Sequence, residues 1–115
     1  MKKKFEIKLL TEAFEFIKSQ SEKVQNKVFY NIRKAQILND PKLFKKLNQN
    51  IWEFRTKYAG LQYRILAFWD KENNEMTLVC GTHGFVKKTD KVNPKEIEKA
   101  EQSRVEYFEQ KKKIE

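Results

Sequence analysis

Glu53, Arg55, Arg64, His83 and Lys87 have the types and spacing to move protons and hold a phosphate. Cleaving RNA without a metal requires three things: a base for the ribose 2′-OH, an acid for the leaving 5′ oxygen, and cations for the charge of the phosphorane. Glu53 and His83 are the candidate proton carriers, since a carboxylate accepts readily and imidazole titrates near pH 6.5, within about a unit of neutrality. Arg55, Arg64 and Lys87 are the candidate charge stabilisers. Lys88, Lys57 and Lys46 would extend a cationic surface along an RNA backbone, and Tyr63, with Phe85 and Trp52, would stack on bases. Each feature also has a plainer reading. The arginines can be solvated, or Arg55 neutralised by Glu53 two residues away. The lysine pair can be a soluble strand edge, a lone histidine is often structural, and the aromatics can belong to the core.

Positioning these groups falls to three stretches. Residues 51–57 and 62–69 are rich in aromatic and β-branched residues and flank Tyr58-Ala59-Gly60-Leu61, so they read as a hairpin turning at Ala59-Gly60. That register sets Arg55 opposite Arg64 and Glu53 opposite Leu66, and like charges facing each other repel unless an anion or carboxylate lies between them. Residues 77–88, TLVCGTHGFVKK, read as a buried strand delivering His83, Lys87 and Lys88 to its end. Gly81 and Gly84 mark a bulge, a kink or a close approach within it, one that could admit a phosphate backbone.

The rest of the chain supplies a frame. Phe5, Ile7 and Leu9 alternate with polar residues as a first strand. Thr11 is a candidate cap for a short helix over 12–18, and Ser21 for a longer one over 22–38 carrying Val24, Val28, Ile32 and Ala35 on one face. Asn39-Asp40-Pro41 ends that helix. Residues 42–50 read as a short turn or helix, and 70–75 as a solvated turn leading into a strand from Met76. Asn93-Pro94 with Glu96 opens a final helix as a capping-box-like start, its inward stripe being Ile97, Ala100, Arg104 and Tyr107. The expectation is one α+β domain over 1–115: an antiparallel-rich sheet with two N-terminal helices and a C-terminal helix.

Among 115 residues, 36% are charged and the formal net charge is +9, so a polyanion is the first partner to consider. No apolar run is long enough to span a bilayer, and Lys2-Lys3-Lys4 is not followed by a signal-peptide core, so a cytoplasmic location without membrane contact is expected. With one cysteine and one histidine, no internal disulfide, metal site or other cofactor is expected.

Four runs then carry a resemblance: Ile51-Trp52-Glu53-Phe54-Arg55, Tyr63-Arg64-Ile65-Leu66, His83 to Thr89 (HGFVKKT), and Pro94 to Ala100 (PKEIEKA). In this order they resemble the phage-related HigB-like branch of the RelE/ParE toxin superfamily, over roughly residues 47–107. The resemblance implies a RelE-like toxin of a type II toxin–antitoxin system, paired with a helix-turn-helix antitoxin, that cleaves mRNA on the ribosome and inhibits translation. It also implies that Arg55 and Arg64 bind phosphate, that Lys87 and Lys88 fill the family's lysine pair, and that His83 fills its histidine position. Where relatives carry Leu, this chain has Phe54. Two alternatives stay open: a ParE-like gyrase-inhibiting toxin, and a non-enzymatic nucleic-acid-binding module.

Overall fold

In the computed structural model, which describes residues 2–72 and 77–114, the chain runs β1 (Glu6–Leu9), α1 (Thr11–Lys18), α2 (Glu22–Ile37), β2 (Phe44–Lys46), β3 (Trp52–Tyr58), β4 (Leu61–Asp70), β5 (Leu78–Lys87) and α3 (Pro94–Ile114). The five strands form one sheet in the order β1-β5-β4-β3-β2. Only the β1–β5 pair is parallel. Helices lie on both faces.

The turn at Ala59-Gly60 sets the register. Both residues take positive φ, 50° and 80°, the signs of a type I′ turn, whose twist matches that of its strands. Arg55 therefore faces Arg64, and Glu53 faces Leu66, as the turn predicts. On one face of the sheet, Phe54, Tyr63, Ile65, Ala67 and Val79 pack against Ala13, Ile17, Val28, Ile32 and Ala35 of α1 and α2. Gln36 and Asn31 fasten α2 further, Gln36 Nε2 donating to the Phe5 carbonyl at 2.9 Å and Asn31 Nδ2 to Thr56 Oγ1 at 3.3 Å. On the other face, α3 lays Ala100, Tyr107 and Phe108 over Leu66, Phe68 and Cys80.

Five local expectations change. Residues 44–46 are a strand, not a turn or helix, because Phe44 stacks on Phe54 and the Leu43 carbonyl takes the Arg55 N–H. Thr11 does not cap α1. Leu10 stays extended to bond Gly81, and its carbonyl starts the helix. Ser21 caps α2 as expected. Gly84 admits no ligand backbone, since a Cβ there would lie 2.2 Å from the Phe16 ring of α1. Glu96 turns away from the Asn93 cap toward His83, and Asn93 Oδ1 instead accepts from Lys95 N. Asp70 is no solvated turn residue but ends β4 at 2% exposure; positions 73–76, including Met76, lie outside the described residues.

Candidate functional site

Strand alternation brings the candidate residues to one face. Glu53, Arg55 and Lys57 of β3 stand beside Leu66, Arg64 and Gln62 of β4, which stand beside His83, Phe85 and Lys87 of β5. The helix α3 covers the Leu66 end of this face and leaves the Gln62 end open.

At the junction, the repulsion between the two arginines is relieved from within. Glu53 Oε1 lies 3.3 Å from Arg55 Nε and 3.0 Å from Arg64 Nε. Arg64 Nε makes no hydrogen bond with it, so that contact is ionic and off the N–H axis. Among the described residues, buried Glu53 Oε2 has no hydrogen-bond partner, a costly state for an acceptor. Arg64 is 2% exposed and is held by the Tyr63 carbonyl at 3.3 Å and by a short bond to Gln62 Oε1. Burial pushes its pKa down, Glu53 opposes that, and Arg55 adds to it; a guanidinium stays protonated regardless. Arg55 is looser. Its side chain is 29% exposed, and it donates to the Pro41 carbonyl at 3.2 Å.

Lys87 joins this surface opposite Gln62. Its pKa is lowered, first by burial and then by Arg64, with Arg55 acting in the same sense and Glu53 against it. Lys42, Arg55, Lys57, Gln62 and Arg64 line a cleft of about 330 Å³. Of its six lining residues, Thr56 included, four carry positive charge, so the cleft suits an anion. Lys88 lies just beyond the strand, exposed, and lines a smaller depression with Lys87 and Lys91.

Three candidates stand elsewhere. Tyr63 alternates to the opposite face, where it is 6% exposed and packs near Phe16, so no base can stack on it. Lys46 lies at the far end of the β2–β3 pair, opposite Trp52. His83 shares the arginine face but lies under α3 at 4% exposure, with Nε2 3.1 Å from Glu96 Oε1 and Nδ1 3.0 Å from Thr82 Oγ1. Burial lowers its pKa, Glu96 opposes, and its other charged neighbours are Lys99 and Glu12 rather than the arginines. A one-residue bulge in β5 explains the placement: Leu66 pairs with His83 and Ala67 with Gly81, leaving Thr82 extra. That phase shift turns both Cys80 and His83 toward α3.

Sequence reasoning missed Gln62, Lys42 and Glu96. Gln62 was legible in principle, since the predicted hairpin places it two residues from Arg64 on the same face. Lys42 and Glu96 reach their places through the β2 approach and the α3 crossing, which no local pattern announces.

Among the described residues no helix is long and apolar enough to cross a membrane. No curated protein matches the chain. Residues 15–105, a span that takes in both arginines, Glu53, Gln62 and Lys87, match the family described as Phage derived protein Gp49-like (DUF891), and the chain belongs to that family.

Proposed function

We propose that this protein is the toxin of a type II toxin–antitoxin pair and acts as a ribosome-dependent mRNA endoribonuclease. The observation that carries this reading is the cationic cleft lined by Lys42, Arg55, Lys57 and Arg64, with the buried carboxylate of Glu53 against both arginines and Lys87 on the neighbouring strand. The Gp49-like family membership and the HigB-like motifs support it.

In the proposed reaction, the scissile phosphate draws Arg55 away from Glu53 and lies against both guanidiniums. Arg55 is the group that moves, because it is the more exposed of the pair and holds only one backbone carbonyl. Its departure uncovers Glu53, whose unpartnered oxygen accepts the 2′-OH proton. The 2′ oxygen bonds to phosphorus, the bond to the 5′ oxygen breaks, and Lys87 protonates that oxygen. A lysine with a lowered pKa suits this role, since an acid nearer the working pH gives up its proton more readily. The products are a 2′,3′-cyclic phosphate and a 5′-OH. His83 serves here as a positioning residue that holds β5 to α3 through Glu96.

A helix-turn-helix antitoxin that covers the cationic face is the expected partner, and the net charge of +9 favours an acidic segment for that contact. Mapping RNA ends after brief expression tests the function. New 5′-OH ends in translated messages are expected. Intact messages with DNA-damage signalling would replace this reading with gyrase poisoning, and binding without cleavage in a translating extract would replace it with a docking module.

A further inference from the structure

A second surface, at the end of the sheet where Trp52 and Trp69 meet Arg104 of α3, has the composition of a nucleotide-binding groove. Trp52 neighbours Glu53 in sequence and therefore points to the other face, where it meets Trp69 edge-to-face with ring centroids 5.5 Å apart. Both indoles are half-buried, and both line a cleft of about 310 Å³ with Lys46, Lys71, Arg104 and Asn50. Lys71 Nζ sits 5.4 Å from the Trp69 ring centroid, so a cation already reaches that ring. Arg104 is paired to Glu101 at 3.2 Å, which leaves the two lysines as the cleft's surplus charge.

Neither feature alone implies a ligand, but together they match one. Aromatic faces accept unpaired bases of any sequence, and flanking cations follow the phosphates. A duplex hides its bases and offers only phosphates.

We propose that the Trp52–Trp69 cleft binds an unpaired nucleotide of a single-stranded nucleic acid, a base against the indoles and its phosphate between Lys46 and Lys71. This goes beyond the nuclease reading and uses none of the residues given a part in its reaction. Asn50 lines the same cleft and offers an amide to a base edge. The contact would hold a strand outside the cleft that the arginine cluster lines.

The chain contains two tryptophans, and both are in this cleft, so intrinsic fluorescence reports on it alone. The experiment titrates the full chain with a 2′-O-methyl RNA octamer, which cannot be cleaved, with a DNA octamer of the same sequence, and with the blunt duplex. Anisotropy of a labelled strand measures total binding in parallel. Saturable quenching by single strands, with the duplex at least about tenfold weaker, is the expected result. Equal quenching by RNA and DNA assigns the site to bases and phosphates in general; stronger quenching by RNA assigns it to RNA. The Lys46→Ala/Lys71→Ala double variant, altered only at exposed positions, should lower the salt slope of binding by roughly 0.7 per lysine removed. Binding seen by anisotropy with unchanged tryptophan emission would overturn the proposal, as would a duplex that quenches as well as a single strand. Neither outcome bears on the arginine cluster, which RNA-end mapping tests separately.

Discussion

Glu53 and Asp70 are both carboxylates at 2% exposure on neighbouring strands, yet they are held in opposite ways. Both oxygens of Asp70 have hydrogen-bond partners. Its Oδ2 accepts from Tyr107 Oη and from Lys111 Nζ, each at 2.7 Å, and its Oδ1 from the Glu72 N–H at 3.0 Å. Burial works against the Asp70 charge, but the bonds from Lys111, Tyr107 and the Glu72 backbone outweigh it and hold the carboxyl below its ordinary pKa. The same contact, added to burial, pushes the Tyr107 phenol far above its ordinary value. Glu53 has two cations and no good hydrogen bond to Arg64, and one of its oxygens has no partner. A satisfied buried charge fixes a structure, whereas an incompletely satisfied one can exchange partners at lower cost. Asp70 fastens α3 to the sheet. Glu53 holds two arginines through ionic contacts alone.

The comparison breaks most sharply at Glu53. Glu53→Gln keeps the shape and removes the base, so cleavage should fall by ~10²–10⁴-fold while RNA binding holds or tightens, because the arginines lose an internal competitor. Parallel rate and binding measurements would separate these effects, and unchanged cleavage would reduce Glu53 to a brace. Arg55→Ala should cost ~10²–10³-fold in cleavage with little loss of thermal stability, since the side chain is partly exposed. Arg64→Ala is the poorer probe, as it removes a buried partner and should also lower the unfolding midpoint. Asp70→Asn belongs to the other side of the comparison. Chemical denaturation should show a loss of about 3 kcal/mol, with cleavage per folded molecule unchanged, and a catalytic defect at full stability would contradict the fastener role.

The smallest effect concerns pH. With burial lowering the His83 pKa, the unfolded chain binds more protons than the folded one between that lowered value and about 6.5. Stability should therefore rise with pH across this window and be lost as pH falls below about 6.5. His83→Gln should flatten that slope. Denaturation midpoints at several pH values above the Asp70 range would show it, and an undiminished slope would remove His83 from the account.

The hairpin and its arginine pairing were legible because one two-residue turn fixes a register of fourteen facing residues, and because β-branched and aromatic runs on either side left little choice of element. The helices α1 and α2 were legible from the spacing of their apolar residues. The strand β2 was not, since three residues carry too short a pattern to show a period; it forms because Phe44 has Phe54 to stack on. Asp70 and Glu96 were read from their polar neighbours as a turn and a cap. Their actual partners, Tyr107 with Lys111 and His83, come from elements distant in sequence. His83 lay beyond reach for a different reason: alternation with Phe85 and Lys87 gives its face, but the α3 crossing that buries it against Glu96 has no local signal.

The parallel pairing of β1 with β5 sets the time at which the protein can fold. Glu6 meets Leu78 across about seventy residues of chain, and Phe16 packs over Gly84. Contacts so far apart in sequence form slowly, because the intervening loop must close before they stabilise anything. During synthesis the first strand and helix wait for most of the polypeptide to emerge. A chain cut short before residue 78 keeps both arginines and Glu53 but lacks the strand that joins the two ends of the sheet.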